Sequence, residues 1–324
     1  DQEMSRGLGD VYKRQIIGVL AEFDALPGLS QSTNPYRDSL GGDAGHACGH
    51  NLFGAASVHA AVAIKEYLKE TNQKGTIRLY GTPAEEGGSG KVYIARDGYF
   101  DDVDIVLHWH PDDLNKSHFS SSNGNKSARF TFKGISAHAA GAPQNGRSAL
   151  DGVEAMNMMV NMMREHMDEE ARIHYVITKG GLAPNVVPEE AQVYYYVRHP
   201  KVNGVVELFE RVVKAAEGAA RGTETKLEYE VMHGNYPLMP NRVLSEMINT
   251  ELLKLGGISY NDEEMAYAQE LYKTLLNPSR EIGSQERIQP LRLSAGKGST
   301  DVGDVSWKVP TSGCLLYTSD AADE

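Results

Sequence analysis

Cysteine is nearly absent. Cys48 and Cys314 are the two in 324 residues. Two thiols cannot build the disulfide framework of a small secreted scaffold, so the expectation is a reducing cytoplasm. Long apolar runs are missing too: nothing approaches the ~20 residues that a bilayer-spanning helix needs. No signal-peptide pattern is present. Positive charge is in short supply, with 32 Lys and Arg against 44 Asp and Glu, a net charge of -12. That balance argues against nucleic acid and anionic membrane as partners. A small anionic substrate, which needs only a local basic group, stays open. Internal repeats, coiled-coil heptads and low-complexity tracts are lacking. After His233 the chain has no histidine. What is present is an ordinary globular composition, long enough for more than one domain.

Both ends read as foreign. Residues 1–15, including Met4 to Gln15, and residues 314–324, from Cys314 to Glu324, resemble translated sequencing-adapter read-through. The expectation is therefore a native stretch from about Ile16 to Gly313, truncated at both ends.

Ile16 to Leu20 is a short apolar run that predicts a buried strand. Leu52 to Leu68 predicts a helix, with Asn51 as its N-cap. Strands at Thr76 to Tyr80 and Val103 to Leu107 flank a helix at about Ser89 to Arg96. Strand–helix alternation of this kind implies an α/β fold with a mostly parallel sheet, whose chemistry collects beyond the carboxyl ends of the strands. The rhythm changes near Ser122. A strand at Ala128 to Lys133 precedes a long helix at about Arg147 to Glu170. Leu150, Val153, Met156, Val160, Met163 and Met167 form one stripe of that helix. Strands at Ile173 to Thr178 and Ala191 to Val197, a helix at Gly204 to Ala220, and a strand at Thr225 to Val231 follow. In that last strand Leu227, Tyr229 and Val231 are expected to face inward. The order β-α-β-β-α-β predicts a ferredoxin-like module inserted into the first domain. The domains are thus expected at 16–121 plus 235–313, and at 122–234. Helices at about Asn241 to Leu255 and Asp262 to Leu276 resume the first.

Three short stretches carry the chemistry. Cys48 and His50 lie two apart around Gly49, which lets the chain turn so that both side chains aim at one point. A lone cysteine is most simply a buried thiol. Flanked by His46 and His50, Cys48 reads as a metal ligand. Glu85 and Glu86 follow a strand and precede Gly87-Gly88. Two adjacent carboxylates at a tight turn repel, and a cation removes the conflict. One can then bind metal while the other activates water. His108 and His110 alternate on a strand, so at most one reaches the site; Pro111, expected to end the strand, favours His110. Sulfur, imidazole and carboxylate together are the ligand set of a zinc-like ion.

These stretches, with Phe23-Asp24-Ala25-Leu26-Pro27-Gly28-Leu29-Ser30, Cys48-Gly49-His50-Asn51-Leu52, Glu85-Glu86-Gly87-Gly88-Ser89-Gly90-Lys91 and the run from Ser299 to Trp307, resemble the dinuclear metallopeptidases. That family includes hippurate hydrolase, indole-acetyl-amino-acid hydrolases and carboxypeptidase G. The likeness covers nearly all of the expected native stretch. It implies a metal-dependent amidohydrolase acting on N-acyl or N-aryl amino acids such as p-aminobenzoyl-glutamate. It implies two divalent ions, zinc or manganese, held by Cys48, His50, Glu86 and His110. Glu85 is then the general base and Asp24 an acid beside the site. His138, in Gly134-Ile135-Ser136-Ala137-His138, would steady the oxyanion in the active site of the opposing protomer. Asn185 and Arg198 would hold the substrate carboxylate. The likeness also implies a homodimer through 122–234; pairing with a distinct homologous subunit is the alternative. Two positions depart from the family. Asn51 stands where much of the family has Asp, a change shared by the aminobenzoyl-glutamate branch. The family's last histidine ligand, downstream of Gly298-Ser299-Thr300-Asp301, has no counterpart, so one metal is expected to lack a protein ligand and the chain to fall short of full activity. Two other readings remain open: a cysteine hydrolase using Cys48, and a non-catalytic binding or dimerisation module.

Overall fold

A computed structural model gives the fold over residues 15–318. The chain runs β1 (Ile16–Glu22), α1 (His50–Glu70), β2 (Thr76–Thr82), α2 (Gly90–Arg96), β3 (Ile105–Asp112), β4 (Gly124–Lys133), α3 (Ala149–Met163), β5 (Arg172–Lys179), β6 (Glu190–His199), α4 (Val202–Gly222), β7 (Lys226–Asn235), α5 (Arg242–Leu255), α6 (Asp262–Tyr272) and β8 (Thr311–Tyr317). It divides into two compact units. Of the described residues, one comprises those up to Ser121, Met239–Ala295 and those from Asp304 on; the other comprises Ser122–Leu238 and Gly296–Gly303. Gly296–Gly303 joins the second unit because it lies close on the segment after β7. Asn235 donates its side-chain amide to the Thr300 carbonyl, and a Cβ on Gly303 would sit 1.9 Å from the Tyr236 oxygen.

In the first unit the strands lie in the order β2-β1-β3-β8, with the short strand Lys116–Ser117 beyond β8. β1 pairs in parallel with β2 and β3, and β8 in parallel with β3; Lys116–Ser117 is antiparallel. The central β1 is buried over its last five residues, which is why it reads as an unbroken apolar run rather than an alternating one. Phe53 from α1, Phe100 and Val106 are sealed against the sheet. Residues 1–14 and 319–324 lie outside the described residues. Cys314–Tyr317, set apart in the sequence as resembling adapter read-through, form part of β8, where Cys314 pairs with Trp109. Burial pushes the Cys314 thiol up to about 12, so it stays protonated.

The second unit is β4-α3-β5-β6-α4-β7 with the fully antiparallel strand order β7-β4-β6-β5. This is the ferredoxin-like arrangement. Phe130, Phe132, Val193, Tyr195 and Val197 from the sheet meet Val153, Met156 and Val160 of α3 and Leu208, Val212 and Ala216 of α4. Ser148 caps α3 by accepting from the Asp151 N–H at 3.2 Å.

Several local expectations are corrected. Asn51 is inside α1; the cap is Gly49, in the left-handed conformation at φ 70°, with no side-chain hydrogen bond. The long helix stops at Met163 and a 3-10 turn over Arg164–His166 follows. The acids Asp168, Glu169 and Glu170 would oppose the negative end of a longer helix. α6 ends at Tyr272, not Leu276. Tyr229 and Val231 are about half exposed, because β7 is an edge strand with no neighbouring strand among the described residues on its far side; Tyr229 still stacks on Phe130, with ring centroids 5.4 Å apart. β3 runs through Pro111 to Asp112 instead of ending at His110. Among the described residues no helix is long and apolar enough to cross a membrane.

The α3 stripe gives a direct check. Met156 is fully buried and Met158, two residues on, is 62% exposed. Met156→Ala is expected to cost about 2–5 kcal/mol in denaturant unfolding, and Met158→Ala within about 0.5 kcal/mol of nothing. Equal losses at the two positions would refute this packing.

Candidate metal centre

The site is assembled at the carboxyl ends of β1, β2 and β3. β1 ends on Glu22, and two residues later the Asp24 carboxylate accepts the Glu86 N–H at 2.9 Å. The other Asp24 oxygen lies 3.1 Å from His50 Nδ1. His50 is the first residue of α1 and is fully buried. Its Nδ1 is therefore committed to Asp24, and Nε2 is left for a ligand, the usual arrangement in which a carboxylate fixes the tautomer of a metal-binding histidine. His110 repeats the pattern: its Nδ1 lies 2.7 Å from the Pro111 carbonyl, which leaves Nε2, 3.5 Å from Cys48 Sγ.

Ligand-type atoms of Cys48, His50 and His110 lie within 4.8 Å of one another, as do those of Glu22, His50 and Glu85. His50 is common to both groups. Glu86 Oε1 is 3.9 Å from His50 Nε2. The structure thus brings together Asp24, Cys48, His50, Glu85, Glu86 and His110, the residues of the first unit expected at the site. His108 does not join them; it faces His118, with ring centroids 6.0 Å apart, and burial keeps it neutral.

Backbone geometry explains the convergence. Gly49 must be glycine twice over. Its φ is left-handed, and a Cβ there would sit 2.8 Å from the Pro111 ring. Glu85 and Glu86 are bracketed by Ala84 and Ser89, both with positive φ, at 60° and 54°. Each such residue costs on the order of 1–3 kcal/mol and persists only where its surroundings impose it.

The sequence reading missed two residues. Glu22 is 1% exposed, and Lys91 is fully buried with its Nζ 2.6 Å from Glu22 Oε1. A charged residue closing an otherwise apolar strand was the available signal for Glu22. Lys91 carried no signal of its own, since nothing in the sequence ties it to β1.

The donor set fits a cation. His50 Nε2 is enclosed with no hydrogen-bond partner, although the carboxylates of Glu22 and Glu86 lie 3.1 and 3.9 Å from it. A divalent ion satisfies such an atom. The ligand atoms of Cys48, His50 and His110, and those of Glu22, His50 and Glu85, lie close enough together to share an ion.

The second unit carries the other expected residues. The His138 segment pairs with the Asn185 segment through a bridge between His138 and Val186, and the Ala139 N–H donates to the Asn185 carbonyl at 3.0 Å. His138 Nδ1 accepts from the N–H groups of Ala140 and Gly141, so the neutral ring carries its proton on Nε2. Arg198 lies near the opposite end of β6 from this pair. Eight residues separate it from Glu190, about 26 Å of strand.

Without metal, His50 titrates unusually. Burial opposes its charge, but the Asp24 hydrogen bond and the charges of Glu22 and Glu85 outweigh burial and raise its pKa to about 9. A folded-state pKa above the ordinary ~6.5 means that the ion pairs stabilise fully below pH ~6.5 and are lost as pH rises through about 9. In chelator-treated protein, the stability gap between wild type and His50→Gln should therefore shrink across that window. A gap independent of pH in thermal unfolding would contradict the ion-pair account.

Known proteins resemble this chain in sequence and in fold. Residues 120–224 match the M20 peptidase dimerisation domain. The chain is 40% identical to one of the p-aminobenzoyl-glutamate hydrolase subunits of Escherichia coli, over 93% of this chain and 69% of that protein. It is 28% identical to mouse Xaa-Arg dipeptidase, of which it spans 59%. Among solved structures, an aminobenzoyl-glutamate utilization protein from Klebsiella pneumoniae superposes with a TM-score of 0.63 at 18% identity, over 95% of this chain and 67% of that one. A dinuclear metal-binding M20 peptidase from Bacillus subtilis gives 0.57 at 17%, over 94% and 72%. The chain belongs to the M20 family of peptidases and amidohydrolases, whose members act on amide bonds.

Proposed function

We propose that the protein is a metal-dependent amidohydrolase that releases an amino acid from an N-acyl or N-aryl amide such as p-aminobenzoyl-glutamate. One observation carries this: a thiol, two Nε2 imidazole nitrogens and a pair of adjacent glutamates meet around His50 at the strand ends. When bound, two divalent ions, zinc or manganese, supply the positive charge that polarises an amide carbonyl and acidifies water. Cys48, His50, Glu86 and His110 hold that charge in place, and Asp24 orients His50. Glu85 accepts the proton of the attacking water and passes it to the amine nitrogen as the C–N bond breaks. His138 donates from Nε2 to the oxyanion, and Asn185 and Arg198 hold the substrate carboxylate.

The separation of Arg198 from the His138–Asn185 pair within one chain supports a dimer, in which a second copy provides the second set. The match to a dimerisation domain supports the same surface, 122–234. Pairing with a distinct homologous protein is the alternative. The chain is also 30% identical to the other p-aminobenzoyl-glutamate hydrolase subunit of Escherichia coli, over 65% of this chain and 52% of that protein.

The cysteine-nucleophile reading has one feature in its favour, the 3.5 Å contact of Cys48 Sγ with His110 Nε2. Metal removal separates the two. EDTA is expected to abolish hydrolysis of p-aminobenzoyl-glutamate, and zinc or manganese to restore it; activity that survives complete metal loss would favour the nucleophile.

Glu85→Gln is expected to lower kcat by at least about 100-fold with bound metal unchanged, whereas Glu86→Gln should lose metal. Metal analysis alongside turnover measures both. Full turnover in metal-loaded Glu85→Gln would end the general-base assignment.

A further inference from the structure

We propose that Glu22 is an additional metal-ligating carboxylate, pinned by Lys91 and directed to the same cation as His50. The inference rests on the dinuclear reading above and enlarges its ligand set.

Glu22 is the last residue of β1, and its side chain is buried together with that of Lys91. Enclosed charges require partners, and Lys91 Nζ supplies one at 2.6 Å from Oε1. That contact accounts for only one of the two oxygens. Oε2 is buried and has no hydrogen-bond partner. It lies 3.1 Å from His50 Nε2, a second buried atom without one. The distance suits a hydrogen bond but the direction does not, so the contact leaves both atoms unsatisfied. The other ring nitrogen of His50 is already taken by Asp24.

Two donors about 3 Å apart, each lacking a proton partner, are spaced like neighbouring ligands of one ion with bonds of about 2.0–2.2 Å. A carboxylate oxygen of Glu85 completes this group within 4.8 Å. A counter-ion for Lys91 alone would not need its second oxygen turned towards an imidazole. Lys91 has a further consequence: by occupying Oε1 it restricts Glu22 to a single coordinating oxygen. The relative placement of Glu22 and His50 is also rigid. α1 sits directly on the end of β1 at Gly54, where a Cβ would come 2.7 Å from the Glu22 carbonyl oxygen.

The direct test is a crystal structure of the zinc-loaded chain, with the ions located by anomalous scattering. A Glu22 oxygen about 2.0–2.2 Å from zinc is expected. Zinc bound with both Glu22 oxygens beyond about 3 Å overturns the proposal and leaves the dinuclear reading intact. No zinc at either site overturns both. Affinity gives an independent readout without turnover. In competition against a chromophoric chelator, Glu22→Gln should weaken one zinc equivalent at least about 10-fold and leave the other unchanged. Wild-type affinity at both overturns the assignment. Should uncompensated Lys91 prevent that variant from folding, Glu22→Gln combined with Lys91→Met keeps the pocket neutral. The same one-site loss is expected there, and its absence is equally decisive against the role.

Discussion

Mutual repulsion among enclosed acids is the constraint on which this structure turns. Glu22, Asp24, Glu85 and Glu86 come from two strand ends and crowd one imidazole. Two unit charges about 4 Å apart interact by about 4 kcal/mol at the dielectric typical of a protein surface. That exceeds the strain of one left-handed residue, such as Ala84 or Ser89. The cluster is tolerable only where positive charge is built in or bound. Lys91 supplies a fixed part of it. His50, whose pKa rises to about 9, supplies another part that a cation can replace. Burial and acidity together make the site selective for positive charge while the chain as a whole stays acidic.

The scaffold contributes position. In the order β2-β1-β3-β8, parallel strands end on one edge, so Glu22, the Glu85–Glu86 turn and His110 are delivered to one place by three separate segments. Asp24 ties two of them together. One oxygen takes the Glu86 N–H and the other meets His50, so the acid turn, α1 and the end of β1 share a single carboxylate. The thiol chemistry is divided in the same spatial way. Cys48 sits beside His110 at the site, whereas Cys314, in β8, is held protonated by burial.

Much of this was legible because period and punctuation are local. The stripe of Val153, Met156 and Val160 spells a helix face, and the β-α-β-β-α-β order spells the second unit. The candidate ligands were legible because each lies close to a glycine or proline in the sequence. What escaped depends on neighbours in space. Lys91 shows its meaning only once α2 is packed against β1. Tyr229 and Val231 alternate as a buried strand would, yet β7 lies at the edge of its sheet and leaves them half open. Asn51 has a capping side chain, but Gly49 adopts the left-handed turn first and helix α1 begins two residues early. Cys314–Tyr317 read as an addition to the chain; an open parallel partner in β3 draws them into the sheet.

The contact between Gly49 and Pro111 has a wider consequence. Each neighbours a candidate ligand, His50 on one side and His110 on the other, and no room for even a methyl group separates them. The two histidines are therefore carried by segments that bear directly on each other, like two jaws sharing a pivot. Displacement of one is transmitted to the other through that single point of touch. The spacing of the pair is thus an inherited property of the main chain, insulated from drift in the side chains around it.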